Sequence, residues 1–532
     1  MMTRRQTMGS ALAFGALATA RPGLAAGMFP VIETAHGKLR GQTSAGVHIF
    51  KGVSYGAETS GSNRFMPPRP VEKWSGVKDA LHWTDVAPQI PGNRMHTYAD
   101  LIMVDRNPSG MGEDNLSLNV WTPTDDPNAK KPVIVVLHGG GFYSGSGNSV
   151  GMDGEQMARF SDSVVVAINH RLGAFGFLHL AEFGGEEFAT SGTVGMQDIV
   201  AALGWVRENI AAFGGDPSRV LVYGQSGGGA KTSVLMAMPN AKGLFHRAGV
   251  MSGSALRMMP AEMASATAKR LLDALDIAPV DVRKLQSVPW TVLLETQAGL
   301  EAADRARGEA PRSFAPVVDG VDLPRHPWAP DAPAVSADVP MIISSVLDER
   351  SYRMADYAMD EAGLLEFAAK RLGDKAADAI AEYRDEDPRA KPFILAARLD
   401  SDLTFRKAAF AQAELKAKQG GAPVWTYLWT QPSPAADGRF GAVHGIDVAP
   451  SLYNLRGALN GSSAEANRLA AAIASSWAAF AANGDPNNER IPDWQPYEAQ
   501  NRHTMIFADD LRVESDPRGA FRKYWGNSQA SL

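Results

Sequence analysis

The segment of this chain best suited to covalent chemistry is a serine set among glycines, Gly224-Gln225-Ser226-Gly227-Gly228. A serine hydroxyl attacks poorly unless it is exposed, aimed and served by a base. A sharp strand-to-helix turn does the aiming, and glycines on either side relieve the crowding of such a turn. The run Val220-Leu221-Val222-Tyr223 reads as a buried strand before it, and Ala230 to Met238 reads as a helix after it. The spacing therefore predicts Ser226 at a nucleophile elbow, with the free N–H groups of the next helix turned toward a developing oxyanion. In a chain with 52 glycines the five-residue string alone would also pass as an ordinary turn, and its setting decides.

A second segment, His138-Gly139-Gly140-Gly141-Phe142, follows the buried strand that ends at Leu137. Consecutive glycines let main-chain N–H groups approach a substrate oxygen, where each donor contributes roughly 10²–10³ in rate against a tetrahedral oxyanion. A phosphate loop is the alternative, but no Lys-Ser or Lys-Thr follows these glycines. Gly229-Ala230-Lys231-Thr232 imitates the end of such a loop, yet Ala230 separates glycine from lysine and the upstream spacing is wrong.

A serine nucleophile needs a base and an orienting acid, here expected in the chain order serine, acid, histidine. Four histidines follow Ser226: His246, His326, His444 and His503. His444 sits in the glycine-bounded loop Gly441 to Asp447, past the strand-like Val424 to Trp429, where it could swing over a sheet edge. His246 lies in the same βα unit as Ser226 and comes too early. For the acid, Asp348 and Glu349 both follow the short strand at Met341 to Ile343, and spacing does not choose between them.

The elements that must position these groups alternate short β-branched runs with longer amphipathic stretches, as in an α/β fold with helices around a mostly parallel sheet. Pro132 to Leu137 and Ser163 to Ile168 lack alternation and read as strands buried on both faces. Ile199, Leu203, Val206, Ile210 and Phe213 mark an amphipathic helix that stops at Gly214-Gly215-Asp216-Pro217. Helix-rich insertions around residues 255–310 and 355–420 are expected to cap the sheet. Residues 1–26, with Arg4-Arg5, a weakly apolar run and a small-residue end, read as a cleaved twin-arginine export signal. Residues 27–532 then form one catalytic domain, exported to a bacterial periplasm or secreted.

Bulk properties exclude several classes. The net charge of -6 and scattered basic residues offer no nucleic-acid footprint. The absence of cysteine removes disulfides, thiolate metal sites and cysteine nucleophiles. The mean hydropathy of -0.17 is that of a protein with no membrane association once the signal is removed.

Taken together, these residues resemble the type-B carboxylesterase family, the cholinesterase-like branch of the α/β-hydrolase fold. The resemblance runs through Phe50 to Tyr55, Glu113 to Trp121, Asn169 to Gly173, Phe213 to Pro217, Gly243 to Ala248 and Asn483 to Asn487. It implies a serine hydrolase that cleaves carboxylic esters through an acyl-enzyme, with Ser226 as nucleophile, His444 as base and Glu349 as acid. It also implies an oxyanion hole at Gly140, Gly141 and Gly227, and structural roles for His138 and His246. Phe142, Tyr143 and Gln225 become candidate pocket residues. The expected partner is a small ester, with no cofactor or metal, in a monomer or small homo-oligomer.

Hydrolysis of an amide, carbamate or lactone uses the same geometry, and a non-catalytic binding module is the reading from a different class. Three departures stand out. Gln225 replaces the usual glutamate, which argues against cationic choline esters. Arg350 follows Glu349 where glycine is usual and could compete with His444 for the carboxylate. Asn115 stands in place of a family cysteine, so loops must be held by packing.

Overall fold

A computed structural model describes residues 27–91, 97–103, 108–309, 314–454, 456 and 459–526. The export signal expected over residues 1–26 lies outside them. In chain order the strands are β1 (Val31–Thr34), β2 (Gly37–Arg40), β3 (Gln42–Ser44), β4 (Val47–Ser54), β5 (Val77–Asp79), β6 (Ser117–Thr122), β7 (Lys131–Leu137) and β8 (Val164–Ile168). They continue with β9 (Gly215–Gln225), β10 (Arg247–Met251), β11 (Met259–Pro260), β12 (Val317–Val318), β13 (Met341–Val346), β14 (Val424–Trp429), β15 (His503–Phe507) and β16 (Arg512–Ser515).

Among the described residues, eleven of these strands form one sheet in the order β16-β15-β14-β13-β10-β9-β7-β8-β6-β4-β3. Pairing is parallel from β15 through β8, and antiparallel at both ends. The unbroken apolar runs of β7 and β8 are explained by this position, since helices cover both faces of the parallel centre. The expected amphipathic helix is Val194–Asn209, and the chain turns at Gly214 before entering β9. The two helix-rich insertions contain Ala261–Ala274, Trp290–Ala306, Glu361–Leu372, Ala376–Glu386, Pro392–Ser401 and Lys407–Gln419. No helix among the described residues is long and apolar enough to cross a membrane.

One buried ion pair fixes the loop after β8. The Arg171 guanidinium donates to Asp198 from Nε at 2.8 Å and from Nη2 at 2.6 Å, and the Arg171 main-chain N–H adds a bond of 3.0 Å. Arg171 Nη1 also reaches the Met66 carbonyl at 2.8 Å, so one side chain ties the N-terminal segment to the central sheet. Asp198→Ala leaves that cation buried without its carboxylate. It should cost about 3–5 kcal/mol of stability, read by denaturant unfolding, and a loss under about 1 kcal/mol would show that water reaches the pair.

Candidate active site

Ser226 lies at the C-terminal end of β9, flanked by β7 and β10 at the centre of the sheet. Its backbone is at φ 57°, ψ -120°, a left-handed conformation that a non-glycine residue holds only under external constraint. The constraint is visible: Ser226 N donates to the Met251 carbonyl at 2.8 Å, and Ala230 N donates to the Ser226 carbonyl at 2.9 Å. The helix Gly227–Leu235 starts directly behind the serine, as its sequence context predicts.

The Gly139-Gly140-Gly141 loop packs against this turn. A Cβ on Gly227 would stand 2.3 Å from the Gly141 main-chain N, so only glycine lets the two segments meet. Gly140 and Gly141 take positive φ of 86° and 62°.

Beneath them is Lys231, which the sequence reading met only as an imitation of a phosphate-loop ending. Lys231, fully buried, donates from Nζ to the His138 carbonyl at 2.9 Å and tethers the helix to the glycine loop. Burial pushes its ammonium down to about 7. The His138 and His170 rings stack 4.9 Å apart. Burial, then the charge of Lys231, hold both well below the ordinary imidazole value. Lys231 is thus a structural cation, not a phosphate ligand.

Glu349 and His444 arrive from the ends of β13 and β14. His444 Nδ1 lies 2.5 Å from Glu349 Oε2, and Glu349 Oε1 accepts from Val346 N at 2.9 Å. Asp348 points elsewhere. It accepts from Ala442 N at 2.9 Å and from Arg398 Nε at 3.0 Å, pinning the loop that carries His444. Arg350 does not compete for Glu349, because its Nε is engaged by Asp400 at 2.7 Å. Arg406 supports the same turn from below, donating to the Val346 carbonyl at 2.8 Å. The His444 ring is held between Tyr352, stacked at 5.2 Å, and Phe405 at 4.9 Å, and Tyr98 OH donates to the His444 carbonyl.

Gln225 faces the other edge of the ring, its amide NH₂ 3.0 Å from His444 Nε2. With that donor on Nε2 and a carboxylate on Nδ1, the ring carries its proton on Nδ1, the tautomer a general base requires. A cleft of about 320 Å³ opens against Ser226, Gly141 and Gly227. Of the expected pocket residues, Phe142 packs against Phe177 and is buried, while Tyr143 is 48% exposed, and neither lines this cleft. Its walls come instead from Ser252 to Arg257 and from Leu403 to Ala408, segments with no local motif. Of the other histidines, His246 enters β10, His326 accepts from Met258 N at 3.3 Å and His503 opens β15.

Comparison with known proteins identifies the family. The model of the carboxylesterase family matches residues 29–525. The chain is 34% identical to the para-nitrobenzyl esterase of Bacillus subtilis, over 93% of this chain and 98% of that one. It is 32% identical to the phenmedipham hydrolase of Pseudarthrobacter oxydans, over 90% of this chain and 95% of that protein. Among solved structures, an esterase of Clostridium hathewayi that can hydrolyse aliphatic aromatic polyesters superposes with a TM-score of 0.81 at 31% identity, covering 94% of this chain and 98% of that one. The Geobacillus stearothermophilus carboxylesterase EST55 gives 0.79 at 34% identity, covering 93% and 99%. These neighbours are α/β-hydrolases, and the sheet described above has that architecture.

Lys231 carries a stability signature. Its charged form is penalised only in the folded chain, so between about 7 and the ordinary 10.5 the unfolded chain binds the extra proton. Stability from this site therefore rises with pH across that window. The unfolding free energy of the wild type minus that of Lys231→Met should grow as pH goes from about 7 to about 10. A difference that stays constant would mean that the ammonium is solvated.

Proposed function

The chain belongs to the carboxylesterase family and hydrolyses esters, and from that premise we propose that Ser226, His444 and Glu349 form its catalytic triad. The observation that carries this reading is the buried contact of 2.5 Å between Glu349 Oε2 and His444 Nδ1, together with the contact of 3.0 Å from His444 Nε2 to Gln225, the residue before the strained turn at Ser226. His444 Nε2 takes the Ser226 proton as the hydroxyl attacks the ester carbonyl. Glu349 stabilises the imidazolium that results, and the main-chain N–H groups of Gly140, Gly141 and Gly227 receive the oxyanion. The alcohol leaves with the proton from His444, and water repeats the attack on the acyl-enzyme.

In the resting arrangement the Gln225 amide occupies His444 Nε2. Substrate binding must exchange that donor for the Ser226 hydroxyl, an adjustment within the range by which catalytic hydrogen bonds tighten on forming the complex. The same reading makes residues 1–26 a cleaved export signal, supported by Arg4-Arg5, and residues 27–532 a single catalytic domain built on one sheet.

Ser226→Ala should abolish hydrolysis of a simple aryl ester and block labelling by a phosphonate probe. Retained turnover would remove Ser226 from the mechanism. Glu349→Gln should lower kcat by about 10²–10⁴ with little change in KM.

Gln225→Glu places a negative charge beside the imidazole and stabilises its protonated form. The acidic limb of kcat/KM should then move to higher pH than in the wild type. An unmoved limb would show that residue 225 does not face the titrating ring.

A further inference from the structure

After β10 the chain runs from Ser252 to Arg257 along the wall of the cleft that contains Ser226. The start of this wall touches the elbow, since a Cβ on Gly253 would lie 2.2 Å from the Ser226 carbonyl oxygen. Trp328 N donates to the Leu256 carbonyl at 3.0 Å and holds its far end. Ser252 is 2% exposed, and its hydroxyl, like that of Ser254, has no hydrogen-bond partner among the described residues. Arg257 likewise has no carboxylate or carbonyl partner among the described residues, and it is the one ionisable side chain among those lining the cleft. Its charge acts on its surroundings: burial, then Arg257, lowers the pKa of His326.

Two buried hydroxyls without protein partners and a half-buried guanidinium place donors around an otherwise apolar cavity, where one acceptor can be met by all three. The acceptor that best suits a guanidinium fork is a carboxylate. The side of the ester it belongs to follows from the reaction. His444 must protonate the departing alcohol, so the alcohol side of the ester is the side of the imidazole, and the cleft that opens on Ser226, Gly141 and Gly227 is left to the acyl side. The cleft therefore receives the acyl group, with Leu403, Phe405 and Ala408 against its methylenes.

We propose that the acyl cleft binds a terminal carboxylate through Arg257, Ser252 and Ser254, making half-esters of dicarboxylic acids the preferred substrate class. This rests on the reading of Ser226 as the nucleophile of an ester hydrolase. The reaction itself is unchanged: the serine forms the acyl bond, the alcohol departs, and water releases the free dicarboxylate. The distal carboxylate stays intact.

The test is a pH-stat comparison of monomethyl succinate, glutarate and adipate with neutral methyl esters of matching chain length, in the wild type, Arg257→Met and Arg257→Lys. The best half-ester should exceed its neutral match in kcat/KM by at least about 10-fold in the wild type. That ratio should fall about 10–100-fold in Arg257→Met and recover in part in Arg257→Lys. Free adipate should also inhibit the wild type more strongly than hexanoate does. A ratio at or below one in the wild type, or an equal ratio in a folded Arg257→Met, overturns the inference while neutral esters still turn over. If neither class is hydrolysed and a phosphonate leaves Ser226 unlabelled, the underlying ester-hydrolase reading is what fails.

Discussion

The site depends on holding one carboxyl group, that of Glu349, in place where no water reaches it. Glu349 is fully buried, and an isolated carboxylate there would be strongly penalised. Two donors make the position tenable, the imidazole at Nδ1 and the Val346 N–H. This requirement fixes His444 in one orientation and one tautomer, and the remaining contacts preserve that geometry. Asp348 holds the His444 loop through Ala442, Arg398 neutralises Asp348, and Tyr352 with Phe405 prevents the ring from turning. Neighbouring residues thus divide the labour: Glu349 meets the imidazole and Asp348 the scaffold.

Two side chains in one segment set the electrostatic balance around Ser226. Gln225 removes a carboxylate from beside His444, while Lys231, five residues beyond the serine, places a buried amine behind the glycine loop. With an amide at 225 the surroundings of Ser226 are less negative than in a site with glutamate there. His138 and His170, stacked near Lys231, are kept neutral by burial and by that cation. The cleft wall that carries Arg257 extends the same sign outward.

Much of this was legible in the chain, and the boundary has a physical basis. The strands β7, β8 and β9, the elbow at Ser226 and the glycine loop are encoded by local patterns: apolar runs, glycine where backbones meet and a strand-to-helix switch. The choice of Glu349 over Asp348 was not local. It needed the family resemblance, because two adjacent carboxylates at a strand end differ only in which loop each one meets. The clamp of Tyr98, Tyr352 and Phe405 on His444 spans more than 300 residues of chain and leaves no periodic trace. Phe142 and Tyr143 looked like pocket residues because they adjoin the glycine loop. The backbone instead sends Phe142 into the core against Phe177, and the cleft is walled by segments whose sequence has no motif.

The cysteine-free composition led to the expectation that packing alone would hold the loops, and the structure adds buried charge to that account. Asp402 is shared by Arg406 and Arg518, so the C-terminal segment and the helix-rich insertion meet at one carboxylate. Arg406 continues from there to the carbonyls of Val346 and Leu347, immediately before the acid turn. A disulfide would constrain the unfolded chain wherever it joined two loops. A buried ionic chain instead stabilises only the assembled state, since each guanidinium is costly unless all its partners are present. Such a chain makes the position of Glu349 conditional on the insertion and the C-terminus both being docked. The Glu349–His444 contact and the completion of the fold are therefore held by the same set of contacts.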